Sequence, residues 1–131
     1  MSNVVEDELL ETKWFRGIIR ELHTSGLPLN THSNAYENKR EVKSGPGLLF
    51  GFSAYSSNAA AQFIQVHDKH DAPVTGDVPV AVFTVATISH VAISYIFPGR
   101  FHQYGIWVVN STTGPTYTAG AADTFFDVQY A

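Results

Sequence analysis

Residues 47–55, with the sequence GLLFGFSAY, decide the class of fold. Apolar residues at the even positions from Leu48 to Ala54 alternate with Leu49, Gly51, Ser53 and Tyr55 at the odd positions. In a β-strand, a period of two places alternate side chains on opposite faces. The stretch therefore predicts a strand that presents one face to a core.

Further strand-like segments follow toward the C-terminus, rich in Val, Ile, Phe and Tyr and separated by turn residues such as Pro98-Gly99. The spacers are too short for the helical crossovers that parallel strands need. We expect a mainly β fold, an antiparallel β-sandwich of the jelly-roll-like or another Greek-key type. The predicted strands are residues 61–66, 78–87, 91–97, 105–110 and 124–130.

The region before residue 44 has a different character. Residues 2–22 carry acids early and arginines late, which favours a helix, although an extended arm over residues 12–22 fits as well. Residues 24–46 are polar and punctuated by Gly and Pro, which predicts a linker. We therefore divide the chain into an N-terminal arm with its linker, residues 1–43, and a sandwich body, residues 44–131.

The composition excludes several classes of function. The 131 residues include no cysteine, so a disulfide scaffold, a thiol nucleophile and a cysteine-ligated metal are excluded. A net charge of −4 argues against a nucleic-acid partner. No apolar run is long enough to span a membrane, and the acidic N-terminus does not resemble an export signal. We expect a protein made in the cytoplasm.

Charge is spread unevenly along the chain. Residues 1–43 contain six basic and seven acidic residues, whereas residues 44–131 contain only seven charged residues in 88 positions. A body with so few charges can remain soluble through Ser, Thr, Asn and Gln. It is equally typical of a body packed against neighbouring protein molecules.

The run His67-Asp68-Lys69-His70-Asp71 is a weak candidate for a metal or catalytic site through His67, Asp68, His70 and Asp71. Because the residues are consecutive, a polar hairpin tip with Asp side chains capping backbone amides is the favoured interpretation. His90 and His102 are expected in the core or an interface, and His32 shows no partner pattern. No G-x-S-x-G, S-x-x-K or phosphate-loop motif is present. We expect no enzymatic activity and no cofactor.

Aromatic residues are frequent in the body and have three interpretations. They can fill the core of the sandwich, some can form a platform on which sugar rings stack, or some can contact a partner protein. The residues concerned are Tyr95, Tyr104, Trp107, Tyr117, Phe125, Phe126 and Tyr130.

Three stretches together resemble small structural proteins of tailed bacteriophages. The first is GLLFGFSAY at 47–55 and the second is AQFIQVHD at 61–68. The third runs from Gly105-Ile106 to Ser111-Thr112-Thr113 and is taken together with the ending DTFFDVQY at 123–130. That group places Q-F-(I/V)-Q-(L/V)-H-D on an early strand and G-(I/V)…S-T-T on a late one, and finishes in F-D-V-Q-Y. The resemblance covers about residues 45–131 and brings no catalytic residues with it.

The resemblance implies a β-sandwich virion component, such as a head-decoration (cement), fibre or tail-associated protein. Its partner would be a major capsid protein or another virion protein, and repeated copies favour a homo-oligomer, with a trimer expected. The N-terminal segment is the natural attachment element, with apolar anchors at Val4, Val5, Leu9, Leu10, Trp14 and Phe15. The alternative function is a tail- or fibre-associated module that binds host glycans.

Overall fold

The computed structural model describes residues 28–131, and these residues form nine β-strands. No described residue lies in a helix, so nothing in this part of the chain could cross a membrane as a helix. The strands are β1 (Leu29–His32), β2 (Lys39–Ser44), β3 (Gly47–Ser56), β4 (Gln62–His67), β5 (Ala81–Val85), β6 (Ser89–Ser94), β7 (Arg100–His102), β8 (Gly105–Ser111) and β9 (Thr124–Tyr130).

The strands pair into two antiparallel sheets. Sheet A has the order β1-β9-β3-β6, and the short β7 also pairs with β3. Sheet B has the order β2-β8-β4-β5. The mainly β, antiparallel architecture predicted from the sequence is confirmed. The predicted N-terminal helix or arm lies outside the described residues.

The core lies between the two sheets. Sheet A contributes Leu49, Phe52 and Phe126, and sheet B contributes Ile64 and Val108, all of them at most 2% exposed. The rings of Phe52 and Phe83 meet edge to face with centroids 5.5 Å apart, so the facing sheets interdigitate. Alternation along each strand then leaves every second side chain on an outer face of the sandwich.

The outer face of sheet B is covered by the protein's own loops. All seven residues of β8 are buried, because Trp107 and Val109 on its outer side pack against Tyr117 and Ala72. Backbone hydrogen bonds join the two covering loops, residues 68–80 and 112–121, at Tyr117 and Asp77 (2.8 Å). No described loop covers the outer face of sheet A in this way, since Tyr55 and Phe125 on it are 39% and 37% exposed.

The strands predicted from residue 47 onward all form. The linker predicted over residues 24–46 is wrong for residues 29–32 and 39–44, which form β1 and β2, and the proposed boundary at residue 44 falls at the end of a strand. Both strands are built into the sandwich, because β1 pairs with β9 and β2 pairs with β8. The sandwich body therefore begins at or before Leu29.

Candidate functional site

The run from His67 to Asp71 separates as it leaves β4. His67 is fully buried, whereas the side chains of His70 and Asp71 are 68% and 91% exposed. Within residues 28–131 there is no group of three or more His, Asp or Glu residues that could hold a metal ion. The side chains of this run instead contact different parts of the fold.

Gln65 and His67 form a buried polar pair on the covered side of sheet B. The Gln65 Nε2 amide donates to the carbonyl oxygens of Thr113 (2.8 Å), Gly114 (3.0 Å) and Thr116 (3.1 Å). Because this fixes the orientation of the amide, its Oε1 accepts from His67 Nε2–H at 2.9 Å. His67 is therefore held as the neutral tautomer with its proton on Nε2, and its ring meets Tyr117 of the covering loop edge to face, with centroids 5.8 Å apart.

Asp68 caps three backbone amides of the turn between β7 and β8. Its carboxylate accepts hydrogen bonds from the N–H groups of Tyr104 (2.8 Å), Gln103 (3.0 Å) and Gly105 (3.3 Å). The favoured interpretation, in which aspartates of this run cap backbone amides, is confirmed for Asp68. The amides belong to a distant turn rather than to the local hairpin.

The ionisation of these groups follows from their surroundings. Burial lowers the pKa of His67 to about 4, against an opposing attraction from Asp77. Burial also lowers the pKa of His102, which is fully buried and donates from Nδ1 to the Gly105 carbonyl at 3.2 Å. For Asp68, burial is outweighed by its three backbone N–H donors, which hold the pKa of the carboxyl below its usual value. Both histidines are thus neutral structural groups at pH 7.

A shallow groove of about 380 Å³ crosses the open outer face of sheet A. We call it the sheet A groove. It is defined by the outward side chains of His32, Ser53, Tyr55, His90, Phe125 and Asp127.

Two rows of side chains build the sheet A groove, and the strand register fixes both. Tyr55 on β3 is directly opposite His90 on β6 and Phe125 on β9, so three rings lie side by side. Two residues along, Asp127 is opposite both Ser53 and His32. Opposed residues have Cβ atoms about 5 Å apart, which places a row of rings beside a row of polar groups.

Phe125 is held from the side by Tyr36, which precedes β2. Their ring centroids are 4.5 Å apart at an interplanar angle of 63°, an edge-to-face contact. Tyr36 is itself 47% exposed, so the aromatic row continues past the end of β9. The groove therefore presents apolar ring surface that the core does not use.

Several polar atoms in the sheet A groove have no partner within the described part of the chain. The His32 Nδ1–H donates to the Ser33 carbonyl at 3.0 Å, which leaves His32 Nε2 as an acceptor. Asp127 Oδ1 accepts from Gln129 Nε2 at 3.2 Å, and the same nitrogen donates to Asn30 Oδ1 at 2.7 Å. In residues 28–131, Asp127 Oδ2, Ser53 Oγ, Tyr55 OH and the His90 ring make no hydrogen bond.

An exposed apolar surface lies at the side of the sandwich where β5 ends sheet B and where β6 and β7 flank β3 in sheet A. We call it the apolar edge patch. The Arg100 guanidinium of β7 donates to the carbonyl of Val80, the residue before β5, at 3.3 Å. The patch consists of Ile96 (91% exposed), Phe101 (65%) and Val80 (40%).

The aromatic residues divide into buried and exposed ones. Tyr117 and Phe126 are buried, as is Trp107, so the core interpretation is confirmed for them. Phe125 and Tyr104 are exposed, and so is His90, for which a core position is therefore wrong. His102 is buried as predicted. Sequence reasoning did not find the sheet A groove, to which β1 contributes His32.

The six predicted N-terminal anchors, Val4, Val5, Leu9, Leu10, Trp14 and Phe15, lie outside the described residues. Their proposed role in attachment stays a prediction.

A scan against protein-family models finds no match, and neither does a search of curated proteins. Solved structures are similar at low level, and two of them are viral. The coat protein of Tobacco streak virus has 6% identity and a TM-score of 0.40, with coverage of 77% of this chain and 83% of that one. The virus-like particle protein of the extra small virus of the prawn Macrobrachium rosenbergii has 8% identity and a TM-score of 0.35, with coverage of 77% of each chain.

A carbohydrate-binding module, CBM36 in complex with calcium and xylotriose, is also similar, with 14% identity and a TM-score of 0.29 over 78% of this chain and 85% of that one. All these TM-scores are below 0.5, so the likenesses carry no argument about family or function. The functional argument rests on the surfaces of this chain.

Proposed function

We propose that this chain is a non-enzymatic structural component of a tailed-bacteriophage virion, of the head-decoration or cement type. The observation that carries the proposal is the apolar edge patch, because side chains such as Ile96 and Phe101 are left in water by the body itself. Exposed apolar surface of this kind marks sites of protein–protein contact. The occupant we assign to it is a second copy of the chain.

The strand order supports this proposal at the level of architecture. With β7 set aside, eight strands form two four-stranded sheets, β1-β9-β3-β6 and β2-β8-β4-β5, in which the chain passes repeatedly from one sheet to the other. This is the arrangement of a jelly roll, which is used by viral capsid and lectin domains among others. Because one fold serves several functions, the surfaces have to decide between them.

The distribution of charge supports assembly through the body. The apolar edge patch lies in the part of the chain that has only seven charged residues in 88 positions. The guanidinium of Arg100, the residue before Phe101, is already bonded to the Val80 carbonyl. An interface core depleted of charge and enriched in aromatic residues is the usual composition of a stable contact between subunits.

The structural roles of His67, Asp68 and Gln65 support a protein without enzymatic activity. Each of these side chains is engaged in holding a loop or a turn, and His67 is sealed from solvent. A general base must reach a substrate proton, which a fully buried imidazole cannot do.

The proposal is tested by measuring the molar mass of the full chain in solution by light scattering. We expect the wild-type chain to form a trimer and the double variant Ile96→Ser/Phe101→Ser to be monomeric, since the patch would lose its two most exposed apolar side chains. Val74→Ser is the matched control, because Val74 is 60% exposed but lies outside the patch, and it should remain trimeric.

A second arm of the same experiment addresses attachment to the particle. Trp14→Ala/Phe15→Ala should keep the mass of the trimer but lose incorporation into particles. A monomeric wild-type chain, or a trimer that survives Ile96→Ser/Phe101→Ser, would contradict assembly through the patch. Unchanged incorporation of Trp14→Ala/Phe15→Ala would contradict docking through the N-terminal segment.

A further inference from the structure

We propose that the sheet A groove is a binding site for an uncharged, pyranose-based oligosaccharide. This inference goes beyond the assembly role and does not depend on it, because the groove shares no residue with the apolar edge patch. The two surfaces are lined by different chemistry, and each can be removed by substitution without touching the other.

The row of rings fits the apolar face of a sugar. Tyr55 lies between His90 and Phe125 on neighbouring strands, and a strand spacing of about 4.8 Å spreads the three rings over about 10 Å. The C–H groups on one face of a pyranose ring are apolar and pack flat against aromatic rings. Tyr55 and Phe125 offer such surface already placed by the sheet, so little ordering of side chains is required on binding.

The polar row fits the hydroxyl groups of the same ligand. A sugar hydroxyl both donates and accepts, so it needs acceptors and donors close together. Asp127 Oδ2 and His32 Nε2 are free acceptors in the described structure, and Ser53 Oγ and Tyr55 OH can act in both ways. Gln129 fixes the Asp127 carboxylate from the side, which pre-organises its free oxygen.

The charge of the groove selects an uncharged ligand. Asp127 is its single carboxylate, and no Lys or Arg is among the residues that line it. Phosphates, sulfated sugars and sialic acids would meet repulsion rather than a compensating cation. Nucleic acid is disfavoured on the same ground.

A second protein molecule is a poorer occupant for this surface. A protein covering the groove would bury Ser53, Tyr55, His90 and Asp127, and each buried polar group that lacks a partner costs about 1–3 kcal/mol. The apolar edge patch carries no such penalty, because its members are hydrocarbon side chains. The polar groups that disfavour a protein partner are the ones a saccharide can satisfy.

Titration of the ¹⁵N-labelled full chain with cellotriose, mannotriose and maltotriose tests the proposal by NMR. We expect at least one of these uncharged trisaccharides, at millimolar concentration, to shift the backbone amides of Ser53, Tyr55, His90 and Phe125. Sialyllactose, the anionic probe, should leave them in place. Resonances of the apolar edge patch should not move with any of the probes.

Two variants and a matched control locate the site. Tyr55→Ala and Phe125→Ala should each weaken the affinity for the bound trisaccharide about tenfold, a common loss for an aromatic contact at the centre of a site. Phe101→Ala removes an aromatic side chain that is more exposed, from a strand pairing with the same β3, and should leave the affinity unchanged. Unaltered amide dispersion elsewhere shows that each variant is folded.

The proposal is overturned if none of the three uncharged trisaccharides shifts the groove amides. It is also overturned if sialyllactose binds as well as they do, or if affinity survives both Tyr55→Ala and Phe125→Ala. None of these results bears on the trimer, whose test is the mass of the Ile96→Ser/Phe101→Ser variant.

Discussion

The two outer faces of the sandwich use the same kinds of residue for opposite purposes. On sheet B, Gln65 and His67 lie beneath loops and form hydrogen bonds within the protein itself. On sheet A, the exposed side chains of Tyr55, His90 and Asp127 have polar atoms that make no hydrogen bond within the described residues. The difference teaches that residue type does not mark a functional surface in this fold; what does is whether a loop returns to cover it.

The largest expected effect compares two glutamines, one on each face. Gln65→Ala should lower the free energy of unfolding by about 3 kcal/mol, because three loop carbonyls and the His67 N–H lose their partner in a buried place. Gln129→Ala on the sheet A face should cost less than about 0.5 kcal/mol, since its hydrogen bonds are exposed. Urea denaturation measures both, and equal losses would erase the distinction between the faces.

A second effect separates the faces by pH. Burial lowers the pKa of His67 from its usual 6.5 to about 4 in the folded chain, so the unfolded chain binds more protons between these two values. Stability should therefore be complete above pH 6.5 and fall by about 2–3 kcal/mol as the pH drops toward 4. The charged groups around His67 are Asp77, which opposes the shift, and Lys69, which adds to it.

His102 acts in the same direction as His67, with Asp68 opposing its shift and Arg100 adding to it. Asp68 and Asp77 have lowered pKa values in the folded chain, so their contributions are lost only as the pH falls further, through those folded values.

Urea midpoints at several pH values between 7.5 and 4.5 test this dependence. His67→Gln, which keeps a donor for Gln65 and removes the titrating group, should flatten the curve. The exposed His70→Gln should retain the wild-type slope, and a slope unaffected by His67→Gln would assign the acid sensitivity elsewhere.

The smallest effect compares two aspartates three residues apart. Asp68→Ala should cost about 1–2 kcal/mol, because three backbone N–H groups lose a charged acceptor at a partly exposed site. Asp71→Ala should have no measurable effect, since its side chain is 91% exposed. Amide exchange at Gln103 and Tyr104 should accelerate only in Asp68→Ala; protection that persists there would show that the turn does not need its cap.

The strands that could be predicted are those in which burial imposes a period of two. Residues 47–56 and 124–130 alternate in this way because one side of each faces the core. The sequence of β2, KREVKS, predicts a linker rather than a strand, because β2 lies at the edge of sheet B and buries only Val42 fully. Charged residues on an edge strand prevent pairing with other chains. The same charged sequence that makes β2 resemble a linker is therefore typical of a strand at the edge of a sheet.

For the sheet A groove, the sequence predicts the types of residue that line it but not their position on an exposed face. The aromatic residues were evident, but a strand that alternates has two faces, and the sequence does not say which one a distant loop will cover. Trp107 is hidden because Tyr117 returns over it, whereas no described loop covers Tyr55. His32 reaches the groove because it lies on β1, and the sequence predicts a linker in place of that strand.

The position of β9 has a consequence for how the chain acquires its shape during synthesis. It lies between β1 and β3 in sheet A, and its pairing of Asn30 with Gln129 joins segments about as far apart in the chain as this domain allows. A nascent chain on the ribosome therefore holds both neighbours of β9 without their shared partner until residue 130 has been translated. Folding with contacts this distant is slow, and the unpaired edges of β1 and β3 are meanwhile open to chaperones or to a second nascent chain.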